Sequence, residues 1–360
     1  MTDASSSPSD VCGFSYRELF ALAVEKPAMA QLEVTRNCNQ RCVFCFRACA
    51  PDRRFPDKTV ADWQTALDKL FALGVRQLNF SGGEIFMFQG VTELFAYAKK
   101  IGMDRITVNT NGLMDLTVFD LKDIDELVFS IHGLDGEHDR LTGIPGSFGR
   151  VVSSLEAAMA RGLNVAVNTV VAADRVAQMS EIYRRFESYP LAYHAFNLAI
   201  DRHTLRERVD DYATAFPIYL EFLKSIPDKR RKLRHGMQNV FCEDPSLFES
   251  AVPLPHCAGG KYKLVVDYRG DVYPCRYFQS DEYLCGNIFN DDLAQVWKNG
   301  RGFEFFRQQA LDSPQPDTCT SCVKWGKCRG GCLAWRVLKP ESKNYGPDIR
   351  CGFGHAYLGG

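Results

Sequence analysis

Between residues 31 and 200 the chain alternates short β-rich runs with longer stretches whose apolar residues recur at helical spacing. The β-rich runs are QLEVT (31–35), RQLNFSG (76–82), RITVNTNG (105–112), ELVFSIHG (126–133), NVAVNTVV (164–171) and AYHAFNLAI (192–200). They are rich in Val, Ile, Phe and Thr, and several alternate as half-buried strands do. TVADWQTALDKLFALG (59–74) and SFGRVVSSLEAAMARG (147–162) both end in glycine, a common helix stop. Six strands alternating with helices predict a parallel sheet, curved or closed like a barrel. Residues 202–256 read mostly as helix. CAGGKYKLVVDYRGDVYPC (257–275) then reads as a hairpin turning at Tyr-Arg-Gly-Asp, before a cysteine-dense tail from Cys319 to Cys351. A domain boundary is placed near residue 250.

Parallel α/β sheets put their chemistry at the carboxyl ends of the strands. The unusual residues collect there: a cysteine-rich loop after the first strand, SGGE after the second, TNG after the third and SIHG at the end of the fourth.

Composition narrows the partners. A formal net charge of −1 over 360 residues gives no footprint for nucleic acid or an anionic membrane. The basic run DKRRKLRH (228–235) reads as a solvated helix face. The opening MTDASSSPSD lacks a secretion signal, and no apolar run approaches a membrane span, so a cytoplasmic protein is expected. Fourteen cysteines in a reducing compartment point to metal or redox chemistry before disulfides.

Cys38, Cys42 and Cys45 fall within one short loop. By spacing alone they are compatible with a disulfide staple, a zinc site completed by Cys49, a reactive thiol or an iron–sulfur site. Three thiolates can hold three irons of a [4Fe–4S] cube and leave the fourth iron open. Zinc in a structural site prefers four closed ligands.

With aromatic Phe44, these cysteines match the CxxxCxΦC signature, and the chain here resembles the radical S-adenosylmethionine (SAM) enzymes. Gly82, Gly83 and Glu84 look like that family's GGE motif, which implies a seat for the amino group of SAM. Ser130 aligns with a serine that relatives use on the SAM ribose, and Asn168 falls where a polar residue commonly faces SAM. Many relatives have Asp where this chain has His132.

Behind this region, Cys257-x12-Gly270-x4-Cys275, then Cys319, Cys322, Cys328, Cys332 and Cys351 resemble the seven-cysteine SPASM pattern. The resemblance implies two auxiliary clusters. Cys319, Cys322, Cys328 and Cys351 would hold the outer one, and Cys257, Cys275 and Cys332 the inner one. Cys285, on the expected return strand of the hairpin, is the candidate for the missing fourth ligand. Cys12, Cys49 and Cys242 match no motif and are read as structural thiols.

The implied architecture is α/β: a partial (β/α)6 TIM-like barrel followed by a small cysteine-rich SPASM domain. Its expected divisions are an N-terminal extension (1–30), the barrel (31–201), a helical connector (202–256) and the auxiliary-cluster domain (257–360). The implied cofactors are a SAM-binding [4Fe–4S] cluster, two auxiliary iron–sulfur clusters and S-adenosyl-L-methionine. The implied reaction is reductive cleavage of SAM, hydrogen abstraction by a 5′-deoxyadenosyl radical, and net two-electron oxidation of the substrate.

An external one-electron donor, such as flavodoxin or ferredoxin, is also implied. The expected substrate is a ribosomally made peptide; the alternative is a small molecule such as an aminocyclitol, a sugar derivative or a cofactor precursor. About 30 residues ahead of the first strand are too few for an independent leader-binding domain, so recognition through a separate partner is expected. Arg276 stands where sulfatase-maturing relatives carry an Asp proposed as base. Arginine cannot accept a proton there, so a clamp for a substrate carboxylate or phosphate is expected instead. A non-catalytic zinc-binding scaffold is the reading from another class.

Overall fold

A computed structural model describes residues 24–45, 56–199, 215–226 in part, 233–235, 258–311, 315–316, 319–320, 322 and 330–336. The six expected strands form as β1 (Met29–Glu33), β2 (Gln77–Ser81), β3 (Arg105–Thr110), β4 (Glu126–Ser130), β5 (Val165–Val171) and β6 (His194–Leu198). β7 (Leu233–His235), β8 (Lys263–Val266), β9 (Asp271–Tyr273) and β10 (Gly286–Asn287) follow. One sheet joins them in the order β10-β9-β8-β1-β2-β3-β4-β5-β6-β7. β8 and β1 through β7 run parallel, with β9 and β10 antiparallel at one edge, so the barrel stays open.

Alternation decides which side chains meet helices. On β1, Ala30 and Leu32 enter the main core; on β2, Leu78 and Phe80 do, and on β3, Ile106 and Val108. Their neighbours Gln31, Glu33, Asn79 and Asn109 take the other face, as a period of two requires. The covering helices include α1 (Val60–Leu73), α2 (Val91–Lys100), α3 (Asp135–Thr142), α4 (Ser147–Ala160) and α5 (Met179–Phe186). α1 presents Trp63, Ala66, Leu67 and Leu70 to the sheet. It starts at a capping box between Thr59 and Asp62 and stops at Gly74, whose φ of 110° suits glycine.

Two expectations change. Residues 233–235 belong to the basic run read as a helix face, yet they pair with β6 from His194↔Leu233 to Phe196↔His235. Three residues are too few to show a strand period, whereas the open edge of β6 offers unpaired backbone groups that recruit a partner. The hairpin forms as expected, Val265 facing Tyr273, but its first strand also pairs with β1.

The C-terminal part therefore shares both sheet and core with the barrel. Val266, Val272 and Ile288 pack in the same core as Leu32 and Phe80. So do Leu293, Val296 and Trp297 of α6 (Leu293–Asn299) and Phe303 of α7 (Arg301–Leu311). Lys69 on α1 donates to the carbonyls of Ile288, Phe289 and Asp291 at 2.7, 3.3 and 3.1 Å. A second core gathers Phe196, Tyr219, Phe278, Phe306 and Trp335, the last on α8 (Leu333–Arg336). No helix among the described residues is long and apolar enough to cross a membrane.

Candidate active site

The loop after β1 is held from three directions. Thr35 Oγ1 and Asn37 Nδ2 both donate to Asp57 Oδ2, at 2.7 and 2.9 Å. From β2, the Gly83 N–H donates to Thr35 O at 2.8 Å and the Glu84 N–H to Asn37 O at 2.7 Å. The N–H groups of Arg41 and Val43 donate to Thr142 O and Leu141 O at the end of α3, at 2.8 and 2.9 Å. The two glycines are needed for this approach. A Cβ on Gly83 would lie 2.0 Å from Asn37 O, and one on Gly82, at φ +132°, 2.5 Å from Thr35 O. Glycine here lets the segment leading into Cys38 come close.

Cys38, Cys42 and Cys45 feel one another. Burial first, then the neighbouring Cys45 and Cys38, pushes the Cys42 thiol up to about 12. Cys38 is raised chiefly by burial, and also by Glu84 and Cys45; the Gln40 backbone and Arg41 oppose this. Three half-buried thiols that repel one another as thiolates suit a cationic centre, which reverses the sign of each interaction. Zinc in a structural site asks for four closed ligands, whereas a four-iron cube takes three thiolates at three corners and leaves its fourth iron open. The donor set therefore fits a cluster better than a single ion.

Glu84 is buried to 1% exposure. It accepts from Thr110 Oγ1 (2.8 Å), the Asn111 N–H (2.7 Å) and the Phe86 N–H (3.2 Å). Burial pushes its carboxyl up to about 7 against these bonds. The carboxylate is thus a joint between the loops after β2 and β3 as well as a candidate ligand for an ammonium.

Ser130 ends β4 opposite Asn168 on β5, so the two sit side by side. Asn168 Oδ1 accepts from Asn197 Nδ2 at 2.7 Å. His132 lies just beyond: its Nδ1 accepts from the Val170 N–H at 3.1 Å, and its ring meets Phe44 edge-on with centroids 4.7 Å apart. Burial, with His138 and Arg175 nearby, holds His132 neutral, its pKa down at about 3.

In the C-terminal part, Cys275 and Cys332 pack against the second core. The Cys322 N–H donates to Cys319 O at 3.0 Å, so these two lie in one turn. Cys257, Cys328 and Cys351 fall outside the described residues, as do Cys12, Cys49 and Cys242. Arg276 is half-buried beside Cys275, its guanidinium carbon 6.0 Å from the Tyr277 ring centroid.

Cys285, the expected fourth inner ligand, lies just before β10. It packs on the barrel-side core, and its thiol donates to Tyr283 O at 3.5 Å. A Cβ on Gly302 would lie 2.9 Å from its sulfur. Burial pushes the thiol up to about 12; the Phe303 and Gly302 N–H groups and then Arg307 and Arg301 oppose this. Its backbone does pair with β9, the N–H donating to Val272 O at 2.9 Å, as the hairpin reading required. The side chain simply leaves on the face where α6 meets α7.

Three contributors escaped the sequence reading. Asn111 was visible only as part of TNG, and Asp57 not at all. Glu33 lies on β1, 2% exposed, its Oε2 accepting from Gln279 Nε2 at 3.1 Å. A buried acid alternating with Leu32 and Val34 was the available signal.

Comparison with known families agrees with this geometry. The radical SAM superfamily model matches residues 32–178, and the SPASM iron–sulfur cluster-binding domain model matches 257–323. The chain belongs to the radical SAM superfamily. It is 27% identical over 327 residues to PqqA peptide cyclase of Xanthomonas axonopodis pv. citri (strain 306), covering 86% of this chain and 84% of the relative. It is 26% identical over 350 residues to the mycofactocin maturase MftC of Mycobacterium tuberculosis, covering 94% and 86%. Among solved structures, anSMEcpe with bound AdoMet superposes with a TM-score of 0.72 at 18% identity, covering 92% of each chain. Streptococcus suis SuiB bound to S-adenosylmethionine superposes at 0.71 and 18%, covering 91% and 78%. Those two structures speak to the fold. This is a radical SAM enzyme with a C-terminal SPASM region.

Proposed function

We propose that this radical SAM/SPASM oxidoreductase matures a ribosomally made peptide by oxidation or cross-linking. The observation that carries the reading is the trio of mutually interacting thiols at the barrel rim, pinned by Gly82, Gly83 and Glu84. The relatives support the substrate class: one is a PqqA peptide cyclase, and SuiB has been solved bound to the precursor peptide SuiA.

Cys38, Cys42 and Cys45 would hold the SAM-binding cluster, with Cys49 spare. When bound, the cluster and S-adenosylmethionine supply reductive sulfonium cleavage and abstraction of a substrate hydrogen. The protein's own residues bind and orient. Glu84 offers a carboxylate to the SAM ammonium, a charge-assisted contact, Ser130 would meet the ribose, and Asn168 beside it would face SAM. Cys319, Cys322, Cys328 and Cys351 would hold the outer auxiliary cluster. Cys257, Cys275 and Cys332 would hold the inner one, with Cys285 as the candidate fourth ligand. An external flavodoxin or ferredoxin would deliver the electron.

The inner face of the sheet suits a peptide. Asn109 Nδ2 donates to Asn79 Oδ1 at 3.0 Å, and Asn197 Nδ2 to Asn168 Oδ1 at 2.7 Å. Each pair spends one amide end on its neighbour and leaves a donor and an acceptor, the complement of a peptide group. Arg276 would clamp a substrate carboxylate.

Anaerobic reconstitution tests the reading. Ala at Cys38, Cys42 or Cys45 is expected to abolish SAM cleavage, and Cys49→Ala to preserve it. A candidate precursor peptide is expected to lose hydrogen, seen as a mass decrease that requires SAM. A colourless, zinc-loaded protein would sink the proposal.

A further inference from the structure

We infer that Asn111 is a positioning residue that joins the Glu84 carboxylate to the Cys38 sulfur and tunes the cluster held there. The inference rests on the reading of Cys38 as a cluster ligand. Asn111 is buried immediately after β3 and makes four contacts with three different parts of the rim. Its main-chain N–H donates to Glu84 Oε2 at 2.7 Å. Its Oδ1 accepts from the Leu113 N–H at 3.0 Å. Its Nδ2 donates to Asn39 Oδ1 at 2.6 Å and lies 3.8 Å from Cys38 Sγ.

These contacts fix which end of the carboxamide faces the sulfur. The Leu113 N–H must meet an acceptor, so the oxygen is committed to the turn and the NH2 group to the cysteine loop. One N–H is taken by Asn39, which leaves the second for Cys38. The backbone between the two contacts is short and rigid: Gly112 N–H donates to Thr110 Oγ1 at 3.0 Å, while Thr110 Oγ1 itself donates to Glu84 Oε1 at 2.8 Å. A ligand that pulls on Glu84 therefore pulls on the residue that touches Cys38.

An N–H directed at a ligating sulfur withdraws electron density from it and favours the reduced cluster, one of the protein's levers on iron–sulfur potential. Removing that donor moves the potential to more negative values. Because the Glu84 contact uses the main chain, a side-chain substitution that keeps the turn separates the two roles. Asn111→Asp retains an oxygen for Leu113 and places a carboxylate beside the sulfur; Asn111→Ala removes the side chain.

The test is a redox titration of the full-length reconstituted enzyme, followed by EPR at the signal that changes when SAM is added. SAM affinity is measured in parallel by calorimetry. The expected result is a more negative midpoint in both variants, larger in Asn111→Asp, with SAM affinity in Asn111→Asp within about twofold of the parent (about 0.4 kcal/mol). A midpoint equal to the parent's in both variants overturns the proposal, whatever happens to affinity. Failure of Asn111→Asp alone to hold the cluster supports it, since only the carboxylate repels a thiolate. Failure of both overturns it, because the residue would then merely hold the loop. Cys38→Ala separates the underlying reading: retention of the SAM-responsive signal in that variant removes Cys38 as a ligand and leaves the Asn111 titration unexplained.

Discussion

Thr169 donates its hydroxyl proton to Ile131 O at 2.6 Å, so it accepts from His194 Nε2 at 2.8 Å, which places a proton on that nitrogen. Burial holds the His194 pKa down at about 3, and burial likewise brings His132 to about 3 and His138 to about 4. Above the ordinary histidine value of about 6.5 both folded and unfolded chains are neutral at these sites, so they leave stability unchanged with pH. Below it the unfolded chain takes up protons that the fold refuses. Stability is then lost as pH falls, by about 1.4 kcal/mol per histidine per pH unit, until the folded values are reached. His194→Gln is expected to flatten the fall of unfolding free energy between about pH 6.5 and 4 by one proton's worth. An unchanged slope in urea titrations would show that His194 is already charged in the fold. The sequence flagged His132 only because relatives differ there. Its setting depends on Val170 and on Phe44, which no local pattern brings together. Glu84 was legible from SGGE, but two of its three donors lie 26 and 27 residues on and arrive through β2–β3 pairing.

At the scale of elements, six strands could be read because each carries a period of two across several residues, with glycine or turn residues at its ends. β7 could not, since Leu233–His235 is short and its partner β6 is remote in sequence. The side-chain direction of Cys285 could not be read for a related reason. Hairpin pairing set its backbone correctly, but which face its side chain takes depends on where α6 and α7 pack. The glycines give an element-scale test. Gly83→Ala puts a Cβ into the Asn37 carbonyl, so the loop after β2 must detach from the segment leading into Cys38. Expected are a fall in cluster content and a loss of roughly 2 kcal/mol or more, in the range of strained core substitutions. Gly149→Ala on α4 meets nothing within 4 Å and is expected to stabilise by about 0.5–1 kcal/mol. Iron content and thermal midpoint of the two variants measure both. Equal iron in Gly83→Ala and the parent would show that the loops after β1 and β2 are not coupled.

For the whole molecule, the cysteine tail suggested a separate domain, whereas its first strand completes the barrel sheet. β8 covers the edge of β1 that would otherwise leave a row of unpaired backbone groups beside the cluster loop. Behind it, Val266, Val272, Ile288, Trp297 and Phe303 fill the main core alongside Leu32, Phe80 and Leu67. Lys69 closes the seam by donating to three carbonyls of residues 288–291. Cutting the chain before β8 would therefore uncover apolar core and a strand edge together, a combination that drives association. A fragment ending at residue 256 is expected to express mainly as aggregate, or to elute as large oligomers that bind a hydrophobic dye. A milder version keeps the chain whole. Lys69→Met retains the apolar stem and removes only the ammonium, leaving three carbonyls at the seam without it. The expected cost is about 1–3 kcal/mol, with the SAM-responsive cluster and the auxiliary clusters losing iron at the same temperature, because one sheet and one core carry both. If the truncated barrel were a stable monomer that still bound SAM, or if the two cluster sets were lost at well-separated temperatures, barrel and tail would be independent folding units after all.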